Sequence, residues 1–126
     1  MTGKKTPGND LAAETRILKE AYRSYNMRDI DRALKVMHAD VDWSNGMEGT
    51  IEHGHEAVRN YWTRQWTMID PTVEPLEFAR EEDGRVNIKV HQVVNDLTGK
   101  LLADQIVHHI YQMENGLIRS MEIRPA

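Results

Sequence analysis

Two hydrophobic periods divide the chain, and they meet near Pro71. Before it, apolar residues recur at helical spacing; after it, they alternate every second position. Leu11, Leu18, Tyr22 and Tyr25, joined by Ile17 and Ala21, predict a first helix with one broad apolar face. It opens near Asp10, whose carboxylate can accept the free amides of the first turn. Asn26-Met27-Arg28-Asp29 predicts a tight connection, with Asp29 capping a second helix. That helix carries Ile30, Ala33, Leu34 and Met37 on one side and Arg32 and Lys35 on the other. Asp40 to Trp43 predicts a short strand, and the polar, glycine-rich Gly46–Gly54 segment a loop. A third helix is expected from about Glu56 to Met68, with Val58, Trp62 and Trp66 at one-turn spacing.

Beyond Pro71, Val73–Ala79, Arg85–Val94, Leu101–Gln112 and Leu117–Ile123 all suit strands. Glu81–Gly84, Asn95–Lys100 and Met113–Gly116 separate them, with turn compositions that include glycine where a positive φ is needed. Long strands joined by short turns predict an antiparallel meander. Three helices followed by a meander cannot build a parallel sheet with alternating crossovers. The expected class is α+β, with helices laid against one face of a curved sheet.

Composition narrows the partners. One domain is expected over residues 10–126, behind a short disordered lead-in at 1–9 in which two lysines precede no apolar stretch. A chain of 126 residues buries roughly two-thirds of its unfolded surface. A net charge of -4 without a run of Lys or Arg argues against a nucleic-acid partner. No segment predicts a membrane span, and a cytoplasmic address is the default expectation. With no cysteine, disulfides, thiol catalysis and Cys-based metal sites are excluded. No Gly-rich phosphate loop, dinucleotide fingerprint or nucleophile elbow is present, so acid–base chemistry without a cofactor is the economical expectation.

Three segments carry a resemblance: YNMRDIDRALKVMHADVDW (Tyr25–Trp43), GHEAVRNYW (Gly54–Trp62) and HIYQMENGLIRSMEI (His109–Ile123). The chain resembles the nuclear transport factor 2-like superfamily, in the branch of ketosteroid isomerase-like proteins and polyketide cyclase-like (SnoaL-like) domains. The likeness runs from about Ala13 to Ile123. It implies a cone-shaped fold in which three N-terminal helices pack on a curved antiparallel or mixed sheet. It also implies a cavity between helices and sheet, and commonly a homodimer through sheet faces. Fold alone does not fix chemistry, because this fold hosts isomerases, cyclases, dehydratases, hydrolases, ligand sensors and adaptors.

Transfer from the isomerase members places their general-base carboxylate at Asn45, an amide that cannot act as a base. The protonated acid that holds the oxyanion matches His108, whose imidazole can donate the same kind of hydrogen bond. The tyrosine donor falls on Ala21, with Tyr22 one residue off and Tyr25 four, so that role stays unassigned. Steroid isomerisation by the usual mechanism is not what this pattern predicts.

The residues also admit a reading of their own. A turn centred between Leu97 and Thr98 sets His91 opposite Asp104 and Asn87 opposite His108, all on one sheet face with Ile106 and Ile110. His91 with Asp104 is then either a base and its orienter or an ordinary polar pair at a dimer face or solvent edge. His108 is the expected cavity histidine, and His109 must point to the other face. His53 and His55 straddle Gly54. His55 is a candidate acid or anion-binding group, or a residue of the first helical turn, and two histidines without a third ligand predict no metal site. Asp40, Asp42, Glu48 and Glu52 are paired carboxylates near the expected mouth, although Asp40 more simply ends a helix-to-strand corner. Tyr22, Tyr25, Trp43 and Trp62 are candidate ligand-binding residues, with Trp66 in the core.

Two functions fit. One is a cofactor-independent isomerase, cyclase or dehydratase in which His108 donates, Asn45 orients substrate, and His91 or His55 moves the proton. The alternative is a non-catalytic domain that binds a small apolar ligand or a protein partner.

Overall fold

The change of period falls at the start of the first long strand. The computed structural model describes residues 11–126, so the lead-in expected at 1–9 and the cap expected at Asp10 lie outside the described residues. The elements are α1 (Leu11–Asn26), α2 (Ile30–Leu34), β1 (Met37–Asn45), β2 (Thr50–His53), α3 (Gly54–Gln65), β3 (Asp70–Arg80), β4 (Val86–Asn95), β5 (Leu101–Glu114) and β6 (Leu117–Pro125). The strands form one six-stranded sheet in the order β2-β1-β6-β5-β4-β3. β1 runs parallel to β6 and every other neighbouring pair is antiparallel, so the sheet is mixed. Among the described residues no helix is long and apolar enough to cross a membrane.

The expected helical faces are those that pack. α1 buries Leu18, Ala21 and Tyr22, and α3 buries Val58, Tyr61 and Trp62. Asp29 caps α2 by accepting the Arg32 amide at 3.2 Å, as its side chain predicts. β4 alternates buried Val86, Ile88 and Val90 with half-buried Asn87, Lys89 and His91. That parity defines an inner face toward the helices and an outer face away from them.

The second helix stops at Leu34, so Met37, expected on its apolar side, instead opens β1. Two further expectations need correction. Gly46–Gly54 is not wholly a loop, since β2 occupies Thr50–His53 and pairs with β1 from Asp42↔His53 to Asn45↔Thr50. The cause is Asn45. Its Oδ1 accepts the amides of Met47 and Glu48, both at 2.9 Å, and its carbonyl accepts the Gly49 amide at 2.8 Å. This closes a tight turn and returns the chain along β1. β2 is an exposed edge strand, so no hydrophobic alternation announces it.

The second correction is the β4–β5 register. His91 pairs with Ile106 and Asn87 with Ile110, not with Asp104 and His108. Asp96 sets the turn: its Oδ1 accepts from the amides of Thr98 and Lys100, and Gly99 supplies a φ of 94°. The slip is two residues across the ladder, so faces are preserved. His91 Nε2 still reaches Asp104 Oδ1 diagonally at 2.7 Å, and His108 Nδ1 reaches Asn87 Oδ1 at 2.7 Å.

α1 is fixed to the sheet edge by a side chain acting as a strand. Asn26 Nδ2 donates to the Val73 carbonyl at 2.8 Å, and the Val73 amide donates to Asn26 Oδ1 at 3.0 Å. Replacing Asn26 with Ala strands both backbone groups of Val73. We expect Asn26→Ala to lower unfolding free energy by about 2 kcal/mol in urea titration. An unchanged midpoint would mean that solvent replaces both bonds.

Candidate functional site

Helices and curved sheet do not meet everywhere, and the space left between them is a cavity of about 250 Å³. β5 contributes Gln105, Val107, His109 and Tyr111 from its inner face, and β4 contributes Gln92 and Val94. Tyr22 and Tyr25 on α1, Tyr61, Trp62 and Gln65 on α3, and Trp43 on β1 complete the aromatic walls. Trp43 packs edge-on to both Trp62 (5.4 Å between centroids) and Tyr111 (6.1 Å), while Tyr25 meets Trp62 at 5.0 Å. Among the described residues that line the cavity, none carries a formal charge at neutral pH.

Polar groups in the wall are organised as two chains. In the first, the Tyr111 hydroxyl donates to Tyr22 at 3.0 Å, and Tyr22 meets His109 Nδ1 at 2.8 Å. When Tyr22 accepts from Tyr111 and directs its own proton to Nδ1, the ring proton of His109 is on Nε2; in the other tautomer Nδ1–H donates to Tyr22. The Tyr22 and His109 rings stack with their planes 6° apart, which fixes the imidazole. In the second chain, Tyr25 donates to Gln65 Oε1 at 2.7 Å and Gln65 Nε2 donates to the Tyr61 hydroxyl at 3.2 Å. Near the sheet, Gln105 Nε2 donates to Gln92 Oε1 at 3.2 Å.

Burial tunes these groups. His109 is 7% exposed, and desolvation, with a smaller push from neighbouring His108, holds its pKa down from 6.5 to about 4. Burial raises the phenol of Tyr22, with Tyr111 adding to the effect, and burial raises Tyr111 itself despite its bond to Tyr22. Tyr61 is raised by burial and drawn part of the way back by the amides of Gly46 and Met47. At neutral pH the imidazole and every phenol in the wall are therefore uncharged.

The expected ligand-binding residues Tyr22, Tyr25, Trp43 and Trp62 all line the cavity. Trp66 stays outside it, tilted against Tyr25 and covered by the Arg28 guanidinium at 5.0 Å. The expected catalytic residues are placed elsewhere. His108 faces outward with Asn87, whose Nδ2 donates to Glu81. The expectation put it in the cavity on the family match and on its shared face with Ile106 and Ile110, but the inner parity on β5 is that of Val107 and Tyr111. His91 and Asp104 share this outer face, where the Asp104 hydrogen bond raises the pKa of His91. Asn45 is buried yet fully engaged: besides the two amides it accepts, its Nδ2 donates to Glu48 (2.8 Å) and Glu52 (2.9 Å). It has no hydrogen-bonding capacity left for a substrate. His55 donates from Nε2 to the Met37 carbonyl at 2.9 Å, docking α3 on β1.

His53 bonds Asp42 at 2.7 Å, and Arg119 reaches both the Asp40 carbonyl and Asp42. Among the described residues no group of three or more His, Asp or Glu side chains is placed to hold a metal ion. The sequence reading missed His109, Tyr111, Tyr61, Gln65, Gln92 and Gln105 as cavity residues. The available signal was the clean alternation of β4, which fixes the inner parity of β5 once the two strands pair.

The profile of the SnoaL-like domain matches residues 18–121. This chain belongs to the SnoaL-like domain family. No curated protein matches it by sequence. Among solved structures, this SnoaL-like domain is similar to TerC co-crystallised with polyporic acid, at 26% identity and a TM-score of 0.79 over 90% of this chain and 92% of that one. It is also similar to an NTF2-like protein of unknown function from Burkholderia pseudomallei, at 24% identity and a TM-score of 0.78 over 90% and 91% of the two chains. SalBIII, described as epoxide hydrolase/cyclase-like and acting in pyran ring formation in the polyether salinomycin, matches at 19% identity and a TM-score of 0.77 over 91% and 92%. The two below 25% identity bear on the fold alone.

The buried histidine has a measurable consequence. A folded pKa below the unfolded value means the unfolded chain takes up the proton first as pH falls. The contribution of His109 to stability is therefore complete above pH 6.5 and is lost as pH falls toward 4, by about 3 kcal/mol at most. His91, with a raised pKa, acts in the opposite sense and above pH 6.5, so the two windows do not overlap. We expect thermal melts of the wild type to lose stability between pH 6.5 and 4.5, and His109→Gln to flatten that slope. An equal slope in both proteins would place the titration on another group.

Proposed function

We propose that this SnoaL-like domain is a cofactor-independent isomerase, cyclase or dehydratase that moves a proton on an apolar or cyclic substrate held in the cavity. The observation that carries this reading is the Tyr111–Tyr22–His109 chain in a wall without formal charge. Its proton order can run either way. In the order described above, Nε2 bears the proton and can donate to an oxygen on which negative charge develops. With all three protons reversed, Nδ1–H donates to Tyr22 and the Nε2 lone pair faces the substrate as a base. One atom can thus withdraw and return a proton.

The tuning suits a proton carried briefly. An imidazole whose pKa is near 4 is neutral at pH 7 and free to accept, and its imidazolium is a strong enough acid to give the proton back. Passing a whole proton on to Tyr22 or Tyr111 is disfavoured, because burial raises both phenols. The two tyrosines hold and polarise the ring. The donor role assigned by resemblance to His108 passes, in this reading, to His109. TerC co-crystallised with polyporic acid supports a small-molecule ligand.

The test is deuterium uptake. Tetralone, a cyclic ketone with acidic C–H bonds beside its carbonyl, is incubated in D2O and followed by NMR. Wild-type protein is expected to accelerate exchange, His109→Gln to slow it by about a hundredfold or more, and the acid limb of the pH profile to lie near 4. A wild-type protein that binds the ketone without exchange would favour the second reading, a non-catalytic ligand-binding domain. That reading is motivated by the same depressed pKa, which makes His109 a weak base.

We also propose a homodimer through the outer sheet face, where half-buried Ile106 lies beside the His91–Asp104 pair. Sedimentation should report a dimer for the wild type and a monomer with unchanged circular dichroism for Ile106→Lys. A monomeric wild type would remove the proposal.

A further inference from the structure

With Tyr22 donating to His109 Nδ1, each polar chain in the cavity wall ends on a donor that has no partner among the described residues. On the sheet side, His109 spends Nδ1 on Tyr22, and Nε2 has no partner among the described residues. On the helix side, Tyr61 accepts from Gln65 but its own hydroxyl proton has no acceptor among the described residues. Gln65 does not take it, because with Oε1 turned to Tyr25 the amide presents Nε2, a donor, to Tyr61. Trp43 packs between Trp62 of α3 and Tyr111 of β5, and the described residues of the lining offer no countercharge.

An ionised ligand would lose its hydration here without an ion partner, which is costly. A purely apolar ligand would leave both donors unsatisfied, which is also costly. We infer that the cavity selects an uncharged, flat ligand with a hydrogen-bond acceptor at each of two ends, one met by His109 Nε2–H and the other by Tyr61 O–H. Tyr61 is then the specificity-determining residue on the helix side, oriented by Gln65. This inference rests on the small-molecule reading of the cavity and narrows it to a substrate class, the aromatic or cyclic diones and their kin.

The experiment compares four bicyclic probes of similar size: naphthalene with no acceptor, tetralone with one, naphthoquinone with two, and naphthoate with a charge. Binding to the full chain is measured by isothermal titration and by shifts of the tryptophan indole N–H signals in NMR. The absence of cysteine removes thiol addition to the quinone as a complication. Naphthoquinone should bind most tightly and naphthoate most weakly. Tyr61→Phe, which removes only the hydroxyl, should weaken naphthoquinone by roughly threefold to tenfold, down to the level of tetralone, and leave tetralone within about twofold. Naphthoquinone affinity that ignores Tyr61→Phe, or naphthoate binding as tightly as naphthoquinone, would overturn the two-acceptor inference while the cavity remains a ligand site. Failure of all four probes to bind a protein with native circular dichroism would remove the small-molecule reading and the inference with it.

Discussion

The hydroxyl of Tyr22 ties the longest helix to the longest strand. It sits between His109 and Tyr111 at hydrogen-bonding distance from both, in a region where none of the three can turn to water instead. A buried donor left unpaired costs as much as the bond is worth and more, so the three side chains hold one another in a single arrangement. That arrangement stacks the imidazole on the phenol, holds His109 in the cavity wall with Nε2 unpartnered among the described residues, and keeps the ring neutral at pH 7. The space between β5 and α3 stays open as a cavity lined from both elements.

Much of this was legible in the chain, for reasons that differ by element. α1, α3 and β4 declare themselves because each buries one face and leaves the other wet, and burial writes a period into the sequence. β2 could not be read that way. It is a short edge strand whose existence depends on the Asn45 turn, so its information lies in hydrogen bonds and not in hydrophobicity. β5 is ambiguous for a third reason: Ile106 and Ile110 on one parity look as apolar as Val107 and Tyr111 on the other. Ile110 is fully buried on the outer face, close to a lattice in which Arg85 pairs with Glu122 and Arg124 with Glu81. Only pairing with β4, whose alternation is clean, decides which side faces the helices.

Asn45 illustrates how a position can keep its place while its work changes. Resemblance sets it where isomerases carry a base, and the amide uses its two N–H groups on Glu48 and Glu52 and its oxygen on two backbone amides. An ionised aspartate there would accept the same amides but face two carboxylates with no proton to offer. The hairpin between β1 and β2 therefore demands an amide, and Arg64, which reaches Glu48 at 3.0 Å, offsets part of the acidity that remains. The chemistry of the turn is incompatible with the chemistry of a general base at that residue.

In the proposed reading the reactive group sits on β5, not at the turn, which alters what the cavity can be asked to do. At the turn, a carboxylate at the Asn45 position would meet Glu48 and Glu52. At His109, desolvation works against any charged form of the ring. A charge that develops on a ligand there is met only by oriented neutral dipoles: the imidazole N–H, the Tyr61 hydroxyl and the glutamine pair on β4 and β5. Such dipoles stabilise a transient charge without stabilising a permanent one, because they need not reorganise when it appears. Meanwhile His91 with Asp104 and Arg85 with Glu122 pair on the outer face, and Glu14 of α1 pairs with Arg80 of β3 outside the cavity lining. Separating charge outside from dipoles inside is what lets a domain with a net charge of -4 enclose an uncharged cavity.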